Sequence, residues 1–205
     1  RKKFLISLFL LVKILLQDRN AIVLSFQGHV YCILICKLFK VKVIVRSNSS
    51  PSGWSKNFLK IFFYKKIYSL ADKIIVNSFE FKNEMKRKFN LNSICIYNPL
   101  NLNEIKSLSQ KKIKFNFFKR KYLNIINVAR LNEQKDQILL LNAINKIKNN
   151  ISLKLLIIGN GNEKKKLINF IEINNLKKIV KILPFKKNPF PYILKSDLFV
   201  LSSKY

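Results

Sequence analysis

Two cations in this sequence stand where chemistry could be done. In Val128-Ala129-Arg130-Leu131-Asn132-Glu133-Gln134-Lys135-Asp136, Arg130 lies just past a short β-branched run, and Lys135 lies at the entry to a helical pattern. An arginine fork and a lysine point charge beside a helix N-terminus can hold a diphosphate without a metal. A second candidate is Gly159-Asn160-Gly161-Asn162-Glu163-Lys164. It opens like a dinucleotide-binding fingerprint, but Lys164 occupies the third glycine position, and no P-loop pattern is present. Such a turn either joins a strand to a helix or lets the backbone approach a phosphate or sugar. The chain's one histidine, His29, follows a strand in Ser25-Phe26-Gln27-Gly28-His29. It is either a cleft residue or a structural one.

Other chemistries lack their residues. There is no G-x-S-x-G elbow, and the four aspartates, Asp18, Asp72, Asp136 and Asp197, form no D-x-D clamp. Cys32, Cys36 and Cys95 make no C-x-x-C pair, and with one histidine they offer little for zinc. They read as small core residues in a reducing compartment. No metal and no cofactor are expected.

The elements that must position these residues alternate. Strands are predicted at Ala21–Ser25, Lys42–Arg46, Lys73–Asn77, Ser93–Tyr97, Leu123–Val128, Leu153–Ile158, Val180–Leu183 and Asp197–Leu201. Helical patterns fall near 28–40, 55–71, 79–89, 135–149, 162–175 and 189–195, with starts marked by Ser55 and Ser78. Continuous apolar strands such as Leu155-Leu156-Ile157-Ile158 suit a parallel sheet covered on both faces. The alternation means βαβ units with right-handed crossovers. In such sheets ligands bind outside the carboxyl ends of the strands. Residues 101–121 are polar and basic and break the rhythm. They are taken as a linker between a first domain, 1–100, and a second, 122–205.

The ends carry their own expectations. Arg1-Lys2-Lys3 and the apolar run Phe4–Leu16 imitate a signal peptide, but Lys13 interrupts the run and no small-residue cleavage site follows. The run is short for a bilayer span, so a buried helix is expected, with an interfacial membrane helix as the alternative. The chain starts on Arg1, and its last strand stops at the carboxyl end, so both domains are expected to be incomplete.

The formal charge is +30, from 40 Lys+Arg against 10 Asp+Glu. This resembles a nucleic-acid footprint, but its makeup is wrong. There are 34 lysines to 6 arginines, beside 28 isoleucines and 24 asparagines, all favoured by AT-rich codons. Lysine is spread along the chain, whereas phosphate tracking clusters cations and favours arginine. No nucleic-acid partner is expected. An anionic membrane surface would attract such a protein.

The second half resembles the nucleotide-sugar-binding domain of family 4 glycosyltransferases, the retaining class with GT-B architecture. The matching residues are V-A-R-L-N-E-Q-K-D with Ile138 to Ala143, Leu155 to Glu163 with Leu167, Val180 to Phe185, and Tyr192 through Ser196-Asp197 to Tyr205. The first half agrees more loosely, at Ala71 to Ser78 and Ile96 to Leu100. The resemblance implies an α/β fold of two Rossmann-like, doubly wound parallel-sheet domains. It implies that Arg130 and Lys135 neutralise the donor diphosphate, that Gly159-Asn160-Gly161 lines the same crevice, and that Phe185 and Lys186 meet the base. The family's Glu-x7-Glu signature would begin after Tyr205. The family's frequent first-domain histidine has no counterpart near Val45-Arg46-Ser47-Asn48, so His29 is the remaining candidate for acceptor-side chemistry.

The expectation is therefore part of a metal-independent glycosyltransferase, with these 205 residues inactive by themselves. It would move a hexose-type sugar from a nucleotide-diphosphate donor to a lipid-linked or polysaccharide acceptor in cell-surface glycan synthesis. It would be cytoplasmic and peripheral at the inner membrane face. The alternatives are a GT-B-like nucleotide-sugar epimerase and a basic nucleic-acid-binding module.

Overall fold

The computed structural model describes residues 2–48 and 57–204; Ser55, the expected start of one helix, lies outside them. The chain divides into two compact units, Arg1–Pro99 and Leu100–Tyr205.

The first unit runs α1 (Lys2–Gln17), β1 (Ile22–Ser25), α2 (His29–Leu38), β2 (Lys42–Ser47), α3 (Phe58–Tyr68), β3 (Lys73–Val76), α4 (Phe79–Phe89) and β4 (Ile94–Cys95). The strands are parallel and lie in the order β1-β2-β3-β4. A sheet that advances in one direction by right-handed crossovers carries its helices on one face. The core agrees: Leu15, Ile33, Tyr68 and Met85, one from each helix, pack with Val43, Val45, Ile74 and Val76 in a single cluster. Each such fully buried side chain contributes about 1.5–3 kcal/mol. On the other face Ile22 and Leu24 stay exposed. Cys36 is buried in the core, and burial pushes its thiol up to about 11, where it is unreactive.

One expectation for this unit needs correction. The apolar run at the start is a helix, but it is not buried. Leu15 is enclosed and Leu11 packs on the core, while Leu5, Ile6, Phe9, Leu10 and Ile14 are exposed. Among the described residues no element covers its outer side, so the helix buries only the stripe that meets its neighbour.

The second unit runs α5 (Leu102–Ser109), β5 (Leu123–Val128), a 3-10 turn (Glu133–Lys135), α6 (Gln137–Ile147), β6 (Leu153–Ile158), α7 (Lys164–Ile173), β7 (Val180–Leu183), α8 (Phe190–Leu194) and β8 (Leu198–Phe199). Its parallel sheet has the order β7-β6-β5-β8. The chain therefore winds outward from β5 through β7, then returns to the other side of β5. Both faces are covered. Leu140, Leu141 and Ile144 of α6 and Leu167 of α7 pack on Ile125, Leu155 and Ile157. Ile126, Leu156 and Ile158 point the other way, against Tyr192, Ile113, Phe115 and Phe118.

Those last three residues correct the expected linker. Residues 101–121 belong to the second unit and cover one face of its sheet. Asn101 caps α5 through the Glu104 N–H, Asn188 Nδ2 donates to the Leu108 carbonyl, and Phe115 meets Tyr192 edge-on with centroids 5.1 Å apart. The polar surface of the segment masks Ile113, Phe115 and Phe118, which do the packing.

The units share one device. Asp72, just ahead of β3, accepts from Val43 N at 2.7 Å while its own N–H donates to the Val43 carbonyl. Asp197, just ahead of β8, does the same with Asn124, accepting at 2.7 Å and donating at 2.8 Å. Each aspartate thus pins the amino end of a neighbouring parallel strand and fixes its register. The Lys37 ammonium and the Val43 amide hold the Asp72 carboxyl below its ordinary value.

Candidate functional site

The reversal in strand order makes a switch point between β5 and β8, the place where open parallel sheets bind ligands outside their carboxyl ends. The loop leaving β5 carries Arg130, which is exposed, and the 3-10 turn ends on Lys135, which is half-buried. Asn132 caps that turn, accepting from Lys135 N at 3.1 Å. Asp136 then takes a left-handed backbone (φ 43°) and caps α6 through Leu139 N. An aspartate tolerates that conformation better than most residues, so a sharp corner separates Lys135 from the helix.

The turn after β6 supports the Arg130 loop from below. Leu131 N donates to the Asn160 carbonyl at 2.9 Å, and Glu163 N donates to the Leu131 carbonyl at 3.1 Å. The fit explains both glycines. A Cβ on Gly159 would lie 1.9 Å from the Ala129 carbonyl oxygen, and one on Gly161 would lie 2.0 Å from that of Leu131. The two backbones touch, and no side chain fits between them. This is a reason for the Gly-Asn-Gly spacing that does not involve a ligand.

Asn160 also joins the third loop, because its Oδ1 accepts from Phe185 N at 3.2 Å. Phe185 is 67% exposed and Lys186 half-buried. The structure therefore gathers Arg130, Lys135, Gly159, Asn160, Gly161, Phe185 and Lys186 on three adjoining loops at one edge of one sheet.

A buried polar layer beneath them escaped sequence reasoning. Asn127, wholly buried in β5, donates to the Val200 carbonyl at 2.8 Å. Gln137, 1% exposed at the start of α6, donates through Nε2 to the Arg130 carbonyl at 3.0 Å. Its Oε1 is buried without a hydrogen-bond partner. Ser202 Oγ donates to the Lys135 carbonyl at 2.9 Å, and Lys204 N to that of Gln134 at 3.0 Å. The chain beyond β8 is thereby stitched to the two-cation loop. The available signal was Asn127, an amide inside an otherwise apolar strand.

His29 belongs to the first unit. It begins α2 after Gly28, whose left-handed backbone (φ 65°) turns the chain out of β1. The Ser25 hydroxyl donates to the Gln27 carbonyl, and His29 Nδ1 lies 3.0 Å from the same Oγ. The Ser25 hydroxyl is thus within hydrogen-bond distance of both the Gln27 carbonyl and the ring, and the tautomer sets which group donates. The ring meets Tyr68 edge-on at 5.9 Å, and burial holds its pKa below the ordinary 6.5. Among the described residues, no three His, Cys, Asp or Glu side chains come together as a metal site would require.

Comparison with known proteins gives this geometry a class. Residues 109–205 match the family model Glycosyl transferases group 1. That match covers most of the second unit, whose parallel α/β architecture is the one expected of the GT-B type. Among particular proteins, Uncharacterized glycosyltransferase MJ1059 of Methanocaldococcus jannaschii is 32% identical over 186 residues, covering 83% of this chain and 46% of that protein. The N-acetylgalactosamine-N,N'-diacetylbacillosaminyl-diphospho-undecaprenol 4-alpha-N-acetylgalactosaminyltransferase of Campylobacter jejuni is 29% identical over 185 residues, covering 85% and 49%. The chain spans about half the length of these curated relatives. Anabaena Alr3699/HepE, solved in complex with UDP and glucose, shares the fold with a TM-score of 0.72 at 16% identity, over 97% of this chain and 56% of that one.

Proposed function

We propose that this chain serves a retaining, family 4 type glycosyltransferase. It would move a hexose-type sugar from a nucleotide-diphosphate donor to a lipid-linked or polysaccharide acceptor in cell-surface glycan synthesis. One observation carries the reading: Arg130 and Lys135 stand on one short loop at the switch point of the second sheet. The family match favours sugar transfer over the epimerase and nucleic-acid alternatives. The Campylobacter relative's name specifies a diphospho-undecaprenol acceptor, and the Anabaena structure holds UDP. Both support the substrate classes proposed.

Bond breaking between sugar and diphosphate leaves negative charge on the departing nucleotide. Arg130 and Lys135 would stabilise that charge, the guanidinium bidentately and the ammonium as a point charge. This assigns the cationic work to side chains, without a metal. The Gly159-Asn160-Gly161 turn would keep the Arg130 loop at its height, and the exposed Phe185 ring and Lys186 would meet the base. His29, its pKa held below the ordinary value by burial, is the first-unit candidate for acceptor-side proton transfer. A lipid-linked acceptor would bring the protein to the inner membrane face as a peripheral partner; no helix among the described residues is long and apolar enough to cross a membrane.

A thermal-shift comparison of UDP, GDP and ADP, each with and without EDTA, tests the reading. One of the nucleotides should raise the melting temperature equally in both conditions. Failure of all three would refute the donor site, and a shift abolished by EDTA would refute metal independence.

A further inference from the structure

We infer that Gln137 and Ser202 are positioning residues for the donor diphosphate, each fixing the backbone carbonyl of one of the two cations. The inference rests on the donor-site reading above and names what aims that site. Among the described residues, no ion pair uses Arg130 or Lys135. Their charged heads are uncommitted while their backbones are held. The Arg130 carbonyl accepts from Gln137 Nε2 at 3.0 Å, beside a local bond from Asn132 N at 3.1 Å. The Lys135 carbonyl accepts from Ser202 Oγ at 2.9 Å. The two holds come from different places, the first turn of α6 and the chain beyond β8.

A buried amide joins the two holds. Gln137 Nε2 also reaches Asn127 Oδ1 at 3.5 Å, and Asn127 Nδ2 donates to the Val200 carbonyl at 2.8 Å. Val200 lies two residues ahead of Ser202. Both amides are enclosed, and Asn127 stands in register with the buried Ile157. Folding does not call for amides there. A hydrocarbon pair of like volume fills such a place at equal or lower free energy, and Gln137 leaves its Oε1 unpartnered at a net cost. What a hydrocarbon cannot do is fix the direction of a carbonyl. Arginine and lysine reach an anion through long, flexible stems, and every degree of freedom fixed beforehand is one that binding need not freeze. The amide and the hydroxyl fix those stems at the root.

Calorimetry of the 205-residue chain with whichever of UDP and GDP binds is the test. Gln137→Met, close in volume but without donors, should weaken binding about five-fold, and Ser202→Ala about three-fold. Ser202→Thr, which keeps the hydroxyl, should bind as the wild type does. Coupling separates aim from stability. Gln137→Met should cost nothing further in an Arg130→Ala background and its full factor in a Lys135→Ala background. Ser202→Ala should show the reverse. Losses by the same factor in every background mark a merely structural role and overturn the inference, as does wild-type binding by folded Gln137→Met or Ser202→Ala. If Gln137→Met does not fold, the Ser202 series decides alone by the same criteria. A wild type that binds neither nucleotide refutes the donor-site reading and this inference with it. Weakened binding in Arg130→Ala and Lys135→Ala, with Gln137→Met and Ser202→Ala binding as the wild type does, refutes this inference and leaves the donor site standing.

Discussion

Gly161→Ala is the sharpest test of how the two-cation loop is held. The added methyl would lie 2.0 Å from the Leu131 carbonyl oxygen, 2.5 Å from its carbonyl carbon and 2.9 Å from its Cα. All three are backbone atoms, so no side chain can swing aside. Relief to a tolerable contact requires the loops to part by about 1 Å, and overpacking of this kind costs about 1–3 kcal/mol. That movement also stretches two hydrogen bonds, Leu131 N to the Asn160 carbonyl (2.9 Å) and Glu163 N to the Leu131 carbonyl (3.1 Å). Each contributes about 0.5–1.5 kcal/mol, and the overlap between the two effects leaves a total of about 2–4 kcal/mol. Urea unfolding of the second unit measures the loss. Calorimetry with the nucleotide that binds should show weaker binding in the fraction that stays folded, because Arg130 is bonded directly to Leu131 and shifts with it. A Gly161→Ala protein within about 0.5 kcal/mol of wild type, the ordinary range for surface changes, would refute the close-approach argument.

Three further outcomes follow from single contacts. Gln137→Leu removes the orphaned Oε1 but also the donor to the Arg130 carbonyl and to the buried Asn127 Oδ1; nucleotide affinity should fall several-fold by calorimetry and thermal stability should fall with it, since each buried group left unsatisfied costs about 1–3 kcal/mol. Asp197→Ala unpins Asn124 from β8 and should cost the second unit about 1–3 kcal/mol in urea, whereas Asp197→Asn retains part of the clamp. His29 is the chain's one histidine, and its folded pKa lies below 6.5. The unfolded state therefore takes up the proton first, so this stability is whole above pH 6.5 and is lost as pH falls through the folded value. Chemical unfolding of the first unit from about pH 7.5 to about pH 5.5 should show the decline, and His29→Gln should flatten it.

Much of the architecture was legible because parallel strands leave strong local marks. Runs such as Leu153–Ile158 sit within β-branched and leucine-rich sequence bounded by Gly159, and the structure places a strand there. The placement of Arg130 and Lys135 just beyond β5 was legible for the same reason, since the strand that they follow is marked by its own apolar run. Residues 101–121 were misread because asparagine and lysine on the outer surface hide the inward spacing of Ile113, Phe115 and Phe118. The local signal at Asn101-x-x-Glu104 was a helix cap. The first helix was misread in the opposite sense, because burial depends on what lies outside a helix as well as on its composition. Asn127 and Gln137 could not be read as a pair, since ten residues and a turn separate them along the chain. Their link to Arg130 and Val200 exists only once β5, α6 and β8 have assembled.

The central claim is that Arg130 and Lys135 hold the donor diphosphate. Calorimetric titration of UDP and GDP into the wild-type chain and into an Arg130→Ala, Lys135→Ala variant tests it most directly. The account predicts binding of one nucleotide by the wild type. In the variant it predicts a loss of at least about a hundred-fold, since each charge-assisted contact contributes about 1.5–3 kcal/mol. A variant that binds as the wild type does, or a wild type that binds neither nucleotide, would contradict it.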